Sequence, residues 1–220
     1  MQHSFTKKSK QRVMKKMLCL AFVLITLQTA VVAQKVRVGA KAGLNLSEVR
    51  TNDKEENKEI GIRPSIHAGL VFDININKNL SFQPQILYSG RGANEDHEDH
   101  KDIYKFNSIE LPLNLLYRSG NKSGSFFIGG GPSIGYNLSG SLEATDDPNE
   151  NFDFEFGSGD GEIRRIDLGV NVLAGYELKN GLFFSANYTR GLTNWLNVST
   201  DTWRNNLLGV SVGYFFGKKK

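Results

Sequence analysis

The feature that most constrains this chain is a strict alternation of apolar and polar residues that recurs in eight separate stretches. The first stretch, VRVGAKAGLNL at 36–46, has apolar side chains at every even position, with Arg37, Lys41 and Asn45 among the odd ones. Because successive side chains of a strand point to opposite faces, this stretch predicts a strand with one apolar and one polar face. An apolar face suits lipid, and a polar face suits the lumen of a transmembrane β-barrel.

Seven further stretches repeat this pattern, and each has ten residues or more. The eight predicted strands cover 36–46, 62–74, 80–90, 106–118, 125–138, 163–178, 182–193 and 206–216. A tilted strand of about ten residues is long enough to cross the hydrocarbon core of a bilayer. The pattern therefore predicts an all-β fold, an eight-stranded antiparallel up-and-down transmembrane β-barrel.

A basic and then apolar segment precedes the first predicted strand. Six basic residues come before the apolar run at 17–33, which ends with Val31 and Ala33 in the positions that a signal peptidase reads. We therefore predict a cleaved signal peptide at 1–33 and an outer-membrane β-barrel domain at 34–220. A retained transmembrane anchor is the alternative, although the apolar run is barely long enough to span a bilayer.

Removal of the leader changes the charge and cysteine content of the chain. The full sequence has 27 basic and 23 acidic residues, and loss of the leader's six basic residues leaves 21 basic residues against 23 acidic ones. No net positive charge remains that would favour a nucleic-acid surface. Cys19, the only cysteine, leaves with the leader, so the mature chain has no disulfide. Met14 is an alternative translation start within the leader.

The connections between the predicted strands indicate how the barrel is oriented. NINKN, SGNKSG and LKNG join strands two to three, four to five and six to seven, whereas the other four connections are longer polar inserts. In outer-membrane barrels the short turns face the periplasm and the long loops face the outside. This rule predicts that both chain ends lie in the periplasm.

Several segments resemble the PorT-like outer-membrane β-barrel family of Bacteroidota in their order and spacing. They are GAKAGLNLS (39–47), LSFQPQILYSGRGA (80–93), IELPLNLLYR (109–118), FFIGGGPSIGY (126–136), LGVNVLAGYELKNGLFFSANYTRGLTNW (168–195) and LLGVSVGYFF (207–216). The resemblance implies the barrel fold and an outer-membrane location. Most members of that family have no known function, and one branch is tied to the machinery of the type IX secretion system. The resemblance carries no catalytic residue over to any position of this sequence.

Four prolines lie inside predicted strands: Pro64, Pro84, Pro112 and Pro132. Each lacks the N–H group that a strand ladder needs, and a closed barrel has no free edge where proline is tolerated. We therefore expect bulges or wide pairs at these positions. Pro112 and Pro132 lie in the family-like segments ELPL and GGGPSIGY, so we interpret them as built-in bends.

The polar faces of the predicted strands carry charges of both signs. The ionisable residues predicted to face the lumen are Arg37, Lys41, Arg63, His67, Glu110, Arg118, Arg165, Asp167 and Glu177, and the polar face of the second strand also includes Asp73. An eight-stranded barrel is just wide enough for its own side chains, and buried charges need partners. We predict a salt-bridged and hydrogen-bonded plug that includes His67, with a selective ion path as the alternative.

The insert NEDHEDHKD at 94–102 contains five carboxylates together with His97 and His100. These groups are chemically able to bind a divalent metal through carboxylate oxygens or imidazole nitrogens. Their spacing fits no established ligand motif, however, so we predict a solvated acidic loop and assign no metal ligand.

A second acidic insert, at 143–162, interleaves Phe152, Phe154 and Phe156 with Asp153 and Glu155. One interpretation is an exposed extra hairpin that offers aromatic contacts to a partner. The other, which we prefer, is an upward extension of strands five and six.

The sequence is compatible with three classes of function. We predict a non-enzymatic outer-membrane barrel with a structural or partner-binding role and a candidate link to protein secretion. Its expected partners are outer-membrane lipid and lipopolysaccharide, the barrel assembly machinery, and a secretion-system or extracellular protein. A small diffusion porin is disfavoured by the strand number. A lipid-modifying enzyme would need a histidine with a serine or acidic partner near the outer boundary of the membrane. No catalytic residue, cofactor-binding residue, cofactor, metal ligand or nucleic-acid partner is predicted.

Overall fold

The computed structural model describes residues 36–51, 60–96, 101–120, 123–145, 151–159, 162–196 and 202–216. Its strands are β1 (Val36–Arg50), β2 (Ile60–Asn75), β3 (Leu80–Asp96), β4 (Lys101–Gly120), β5 (Gly124–Ala144), β6 (Phe152–Asp153), β7 (Ile166–Leu178), β8 (Leu182–Gly191) and β9 (Arg204–Phe216). The predicted leader at 1–33, His97 and His100 lie outside the described residues. No helix among the described residues is long and apolar enough to span a bilayer.

The eight long strands form a closed antiparallel ring. Neighbouring strands pair in chain order, β5 pairs with β7, and β1 pairs with β9 to close the ring. β6, with two residues, pairs with the end of β5. In hydrocarbon every backbone N–H and C=O needs an internal partner, and closure supplies these partners without leaving an open edge. The predicted all-β, eight-stranded antiparallel barrel is confirmed.

The two faces of the strands follow the alternation of the sequence. Leu44 and Phe126 face outward and are 57% and 68% exposed, whereas the adjacent Asn45 and Phe127 face the lumen and are 1% and 4% exposed. A shift of one residue would turn every lumen side chain towards lipid, so the pattern specifies the pairing of each strand strongly.

Three adjacent strands continue well beyond the length that a membrane requires. β3, β4 and β5 have 17, 20 and 21 residues, against 10 residues in β8. Since about ten residues cross the bilayer, the ends of these strands form a sheet on the side of the long loops. We call residues 91–96, 101–107, 139–144 and 152–153 the outer ledge.

The expectation of a long loop between the third and fourth strands is wrong. β3 runs to Asp96, β4 resumes at Lys101, and these two residues are register partners joined by an ion pair of 2.8 Å. Much of the acidic insert at 94–102 is therefore strand, because pairing across the hairpin satisfies its backbone.

The insert at 143–162 combines the two interpretations offered for it. The predicted extension of strand five is confirmed, since β5 reaches Ala144. The predicted sixth strand, at 163–178, corresponds to β7, which begins only at Ile166, so its upward extension is wrong. Instead, β6 takes over as the neighbour of β5 above the last β5–β7 pair. After β6 the chain turns inward, and Phe154 and Phe156 pack against buried apolar residues. The predicted seventh strand likewise ends early, at Gly191.

The strand prolines disturb the ladder in two ways. At Pro64 the β2–β3 register shifts between Ile62 and His67, so the expected bulge is confirmed there. At the other three prolines the register is continuous, but the ladder has unpaired positions at or beside Pro84, Pro112 and Pro132. The missing N–H groups are thus accommodated mostly by gaps rather than by inserted residues.

The last strand closes the barrel and places aromatic rings at the membrane boundary. Tyr214 and Phe216 face outward and are 45% and 55% exposed, as expected for an interfacial girdle. We expect that replacing both by serine strongly reduces the folded barrel in the outer membrane, measured as the heat-modifiable band on a gel of membrane fractions. The same change at Leu44 and Leu46, which are 57% and 43% exposed on β1, is the control and has a smaller effect. Equal losses in the two variants would show that the rings only add lipid-facing area.

Candidate functional site

The lumen near the short turns is closed by four side chains that we call the turn-end ion ring: Arg37, Asp73, Arg118 and Glu177. The Arg37 Nη2 and Nη1 atoms lie 2.6 Å from Asp73 Oδ2 and 2.5 Å from Glu177 Oε1. Arg118 makes the same two connections, at 2.8 Å to Asp73 Oδ1 and 2.8 Å to Glu177 Oε2. Each arginine thus joins both carboxylates, and the ring is neutral. Planar guanidinium groups suit such forked contacts better than lysine would.

An apolar layer supports this ring from the inside of the barrel. The guanidinium of Arg37 lies 4.3 Å from the centre of the Phe215 ring, and that of Arg118 lies 5.2 Å from the centre of Phe127. The layer consists of Val71, Leu116, Phe127, Leu173, Phe183 and Phe215. These contacts hold the guanidinium groups in place and exclude water from their inner faces. The turn end of the lumen is therefore occluded twice.

A second group of charges, the outer ion cluster, lies farther towards the long loops. Arg91 Nε donates to Glu110 Oε1 at 2.7 Å, and its Nη1 donates to Asp167 Oδ2 at 2.5 Å. One arginine faces two carboxylates here, so the cluster carries one excess negative charge. The buried Lys41 forms no ion pair with a carboxylate of the described residues, but it interacts electrostatically with Glu110 and so offsets that charge at longer range.

Between the ion groups, polar side chains form a hydrogen-bonded relay around His67. Asn45 Nδ2 donates to Ser89 Oγ at 2.8 Å and to the Gly90 carbonyl at 3.0 Å, so its Oδ1 accepts the His67 Nδ1–H at 2.8 Å. The His67 Nε2 atom then accepts from Ser211 Oγ at 2.8 Å. The predicted membership of His67 in a hydrogen-bonded network is confirmed.

The relay has the order of a nucleophile, a base and an orienting group, which is the arrangement used by serine hydrolases. It bridges β2 and β9 over Gly43, where a Cβ atom would stand 2.7 Å from the His67 ring. Ser211, however, is 8% exposed, and its hydroxyl points at the lumen. No sequence pattern predicts this juxtaposition, because Asn45 and Ser211 lie 22 and 144 positions from His67.

Aromatic and aliphatic side chains fill the outer end of the lumen. We call this set the mouth cluster, and it comprises buried Val49, Ala93, Phe106, Ile163 and Trp195, with Ile60, Tyr104, Phe154, Phe156, Leu196 and Trp203 packed against them. The Phe106 ring lies 4.7 Å from Trp195 and 5.3 Å from Phe154, centre to centre. Two segments between strands thus fold inward and cover the barrel interior.

The outer ledge stands above this cluster and exposes a mixed surface. Phe152 is 52% exposed, and a shallow cleft of 420 Å³ runs beside it, lined by Ser141, Leu142, Glu143, Asn151, Phe152 and Asp153. Lys105 and Glu143 form an ion pair across β4 and β5. The ledge therefore offers one exposed ring flanked by carboxylate, amide and hydroxyl groups.

Most of the predicted lumen residues occupy the lumen, and one does not. Arg37, Lys41, His67, Glu110, Arg118, Asp167 and Glu177 are buried there, and Arg63 is half-buried and donates to the Arg91 carbonyl at 2.9 Å. The inward assignment of Arg165 is wrong. This residue precedes the start of β7, is exposed, and stacks its guanidinium 5.1 Å from the centre of the Phe156 ring.

Arg91 is the main lumen residue that the sequence pattern missed. It lies one position beyond the predicted end of the third strand, and continued alternation past Gly90 is the signal that could have found it. Asp73 was on a predicted polar face, but only the fold shows that both arginines of the ring contact it. No group of three or more His, Cys, Asp or Glu residues in the described part of the chain could hold a metal ion. The metal hypothesis for His97 and His100 concerns residues outside that part.

Comparison with known proteins gives one family match. Residues 32–197 match the family described as "Outer membrane protein beta-barrel domain". No curated protein sequence matches the chain significantly.

Several solved structures are similar to this chain. Neisserial surface protein A is 14% identical with a TM-score of 0.46, and the alignment covers 80% of this chain and 96% of that one. OprG from Pseudomonas aeruginosa is 11% identical with a TM-score of 0.45, covering 82% and 94%. Ail of Yersinia pestis, in complex with the heparin analogue sucrose octasulfate, is 13% identical with a TM-score of 0.44, covering 83% and 99%.

The turn-end ion ring predicts different stabilities for two arginine variants. Replacing Arg118 by leucine leaves Asp73 and Glu177 each short of a partner, and breaking a buried pair in this way costs about 3–5 kcal/mol. The matched control is Arg165→Leu, an exposed arginine, for which we expect a change within about 0.5 kcal/mol. Urea-induced unfolding in lipid vesicles measures the free energy of unfolding of both variants. A similar loss in the two variants would contradict the ring.

Proposed function

This chain belongs to the outer membrane protein β-barrel family, and from that premise we propose that it is a closed, non-catalytic barrel with a structural or partner-binding role. The protein lies in the outer membrane. Most lumen charges of the described residues are held in ion pairs. The outer end of the barrel projects from the membrane, where partners have access.

One observation carries the proposal: side chains occlude the lumen at both ends. The turn-end ion ring and the apolar layer beneath it block the inner end, and the mouth cluster blocks the outer end. A selective path needs sites that an ion enters and leaves easily. Arginines that each join two carboxylates and are backed by aromatic rings do not provide such sites, and a small diffusion porin is correspondingly disfavoured.

The filled lumen also argues against the lipid-modifying enzyme alternative. Ser211, His67 and Asn45 are in hydrolase-like order, but a lipid ester would have to reach a serine that faces a filled lumen. Near-attack geometry requires the reacting atoms to come within about 3–3.5 Å. We therefore assign the relay a role in holding β2 and β9 around Gly43.

The outer ledge is the surface that we propose for partner binding. It projects from the membrane on the side of the long loops and exposes Phe152 beside the cleft that contains Glu143 and Asp153. Aromatic residues are enriched at protein interfaces, and a ring surrounded by polar groups is typical of such sites. The proposed partner at the ledge is an extracellular protein or a secretion-system component. Lipopolysaccharide is the proposed neighbour of the barrel wall. The likeness to PorT-like proteins is what supports a link to secretion.

Conductance tests the closed lumen. In planar bilayers we expect the wild-type barrel to show little or no steady current, because both ends are filled by packed side chains. A barrel whose folding is verified by heat-modifiable gel migration is the sample. Large, stable channels would contradict the proposal and restore the porin alternative.

Site-specific crosslinking tests the outer ledge. We expect a photoreactive amino acid at Phe152 to yield protein adducts on intact cells, because that side chain stands free of the membrane. The control position is Ile134, which is 38% exposed and faces lipid on β5, the strand that pairs with β6. Adducts that are identical at the two positions, or absent at Phe152, would argue against a partner at the ledge.

A further inference from the structure

Three arginines lie on the outward face of neighbouring strands, at the end of the barrel that carries the long loops. We call them the arginine patch, and they are Arg190 near the end of β8, Arg204 at the start of β9 and Arg50 at the end of β1. All three side chains are exposed, whereas the adjacent Thr189, Asn205 and Val49 are buried. Since alternate side chains of a strand point to opposite faces, the arginines stand on the membrane side of the wall.

The arginine patch stands just beyond the lipid-facing band of the same three strands. That band includes a row of exposed register partners, Tyr188, Leu208 and Leu46. The arginines lie two to four positions farther towards the long loops, which is about 7–13 Å along a strand. Tyrosine rings favour the membrane boundary, and long loops of outer-membrane barrels face the outside. The patch is therefore at the level of the headgroups of the outer leaflet.

The positive charge of the patch is only partly balanced. Arg50 Nε lies 2.8 Å from Glu48 Oε1, and the same oxygen accepts from Asn206 Nδ2 at 3.2 Å. Arg190 and Arg204 form no ion pair with another described residue. Three arginines against one carboxylate leave an excess of two positive charges. This excess attracts an anion to the outward face of the wall.

The spacing of the arginines suits one shared anion. Arg50 and Arg204 are register partners, so their Cβ atoms lie about 5 Å apart, and like charges at such positions destabilise a strand pair. Arg190 is the partner of Asn206 and is therefore diagonal to Arg204, at about 7–8 Å. Arg50 also lies close enough to Tyr188 on β8 to interact with it electrostatically. An anion held between the guanidinium groups removes the repulsion among them.

We propose that the arginine patch binds the phosphate groups of lipid A, the membrane anchor of lipopolysaccharide, in the outer leaflet. The inference rests on the proposed function, in which lipopolysaccharide is the neighbour of the barrel wall. Guanidinium groups bind phosphate through forked hydrogen bonds, and basic clusters at a membrane surface recognise acidic headgroups. The acyl chains of the same molecule lie against the exposed row of Tyr188, Leu208 and Leu46.

An acidic protein is the other class of anionic partner, and it fits the patch less well. β8 ends at Gly191 and β1 ends at Arg50, so these strands stop close to the lipid-facing band. A protein partner has better access to the outer ledge, which extends farther from the membrane. The lysines there are already balanced, because Lys101 pairs with Asp96 and Lys105 pairs with Glu143.

Retention of lipid A by the folded barrel tests the proposal. The barrel in detergent, with a chelator of divalent cations, is mixed with lipid A, with lipid A freed of its phosphates, or with phosphatidylglycerol. Native mass spectrometry then measures the lipid retained. We expect wild-type protein to retain intact lipid A and to lose the other two under the same activation. Equal retention of lipid A with and without phosphates would overturn the proposal, and equal retention of phosphatidylglycerol would overturn the assignment to lipopolysaccharide.

Charge variants of the patch test which residues hold the phosphates. Arg190→Gln with Arg204→Gln should lower the retained lipid A by roughly tenfold to thirtyfold, whereas Arg190→Lys with Arg204→Lys keeps both charges and should lose less. The control is Lys78→Gln with Lys179→Gln, which removes two exposed charges at the short turns and should leave retention unchanged. Each variant is compared after its heat-modifiable migration confirms folding. Equal losses in the two patch variants, or in the patch and turn variants, would contradict a phosphate site at the arginines.

Crosslinking on intact cells gives an independent measurement. A photoreactive amino acid in place of Arg204 should yield adducts with lipopolysaccharide, because this position stands at the headgroup level. Protein adducts without lipopolysaccharide adducts would overturn the proposal in favour of an acidic protein. The proposed function has separate measurements, since the closed lumen is read by conductance and the outer ledge by adducts at Phe152. Failure at the patch with those two results intact would overturn the lipid A site alone.

Discussion

The pairing of β1 with β9 is the constraint on which the rest of this structure depends. It closes the ring, so that no backbone N–H or C=O in the hydrocarbon is left at an open edge. Closure also divides the side chains into an outside and an inside, because each strand must present alternate residues to lipid and to a narrow lumen. Each inward-facing charge then needs an ion-pair partner from another strand, because an unpaired charge in a low-dielectric interior is costly.

The lumen meets this demand with two separate groups of charges. The turn-end ion ring is neutral by itself, and the outer ion cluster, with one arginine and two carboxylates, is offset by Lys41. Arg37 joins carboxylates from β2 and β7, so the ring connects strands that do not pair with each other. Because a slip of one residue would send these charges towards lipid, the ion pairs favour one register over its neighbours. This arrangement supports the proposal that the barrel is a rigid support rather than a conduit.

The two ends of the barrel differ in how far the protein extends past the membrane. At the turn end, short connections leave little protein outside the bilayer. At the other end, β3, β4 and β5 continue past the membrane, and the segments around Phe154 and Trp195 fold inward to cover the lumen. The exposed outer ledge is therefore formed by extended sheet that is supported from below by the mouth cluster, and a rigid surface of this kind is suited to binding a partner.

The sequence by itself determined the strand number, the two faces of each strand and most of the lumen residues, because alternation is a local property that the backbone enforces residue by residue. It also predicted bulges or wide pairs at the four strand prolines, and a bulge lies at Pro64. It did not determine the partners within the lumen, since Arg37 and Glu177 are 140 positions apart and meet only when the ring closes. It misplaced Arg165 and the third-to-fourth connection, where strand ends depend on whether a hairpin continues to pair or a segment turns inward. Tertiary packing decides where these strands end. Burial of Phe154 and Phe156 in the mouth cluster stabilises the fold more than further pairing of β7 would.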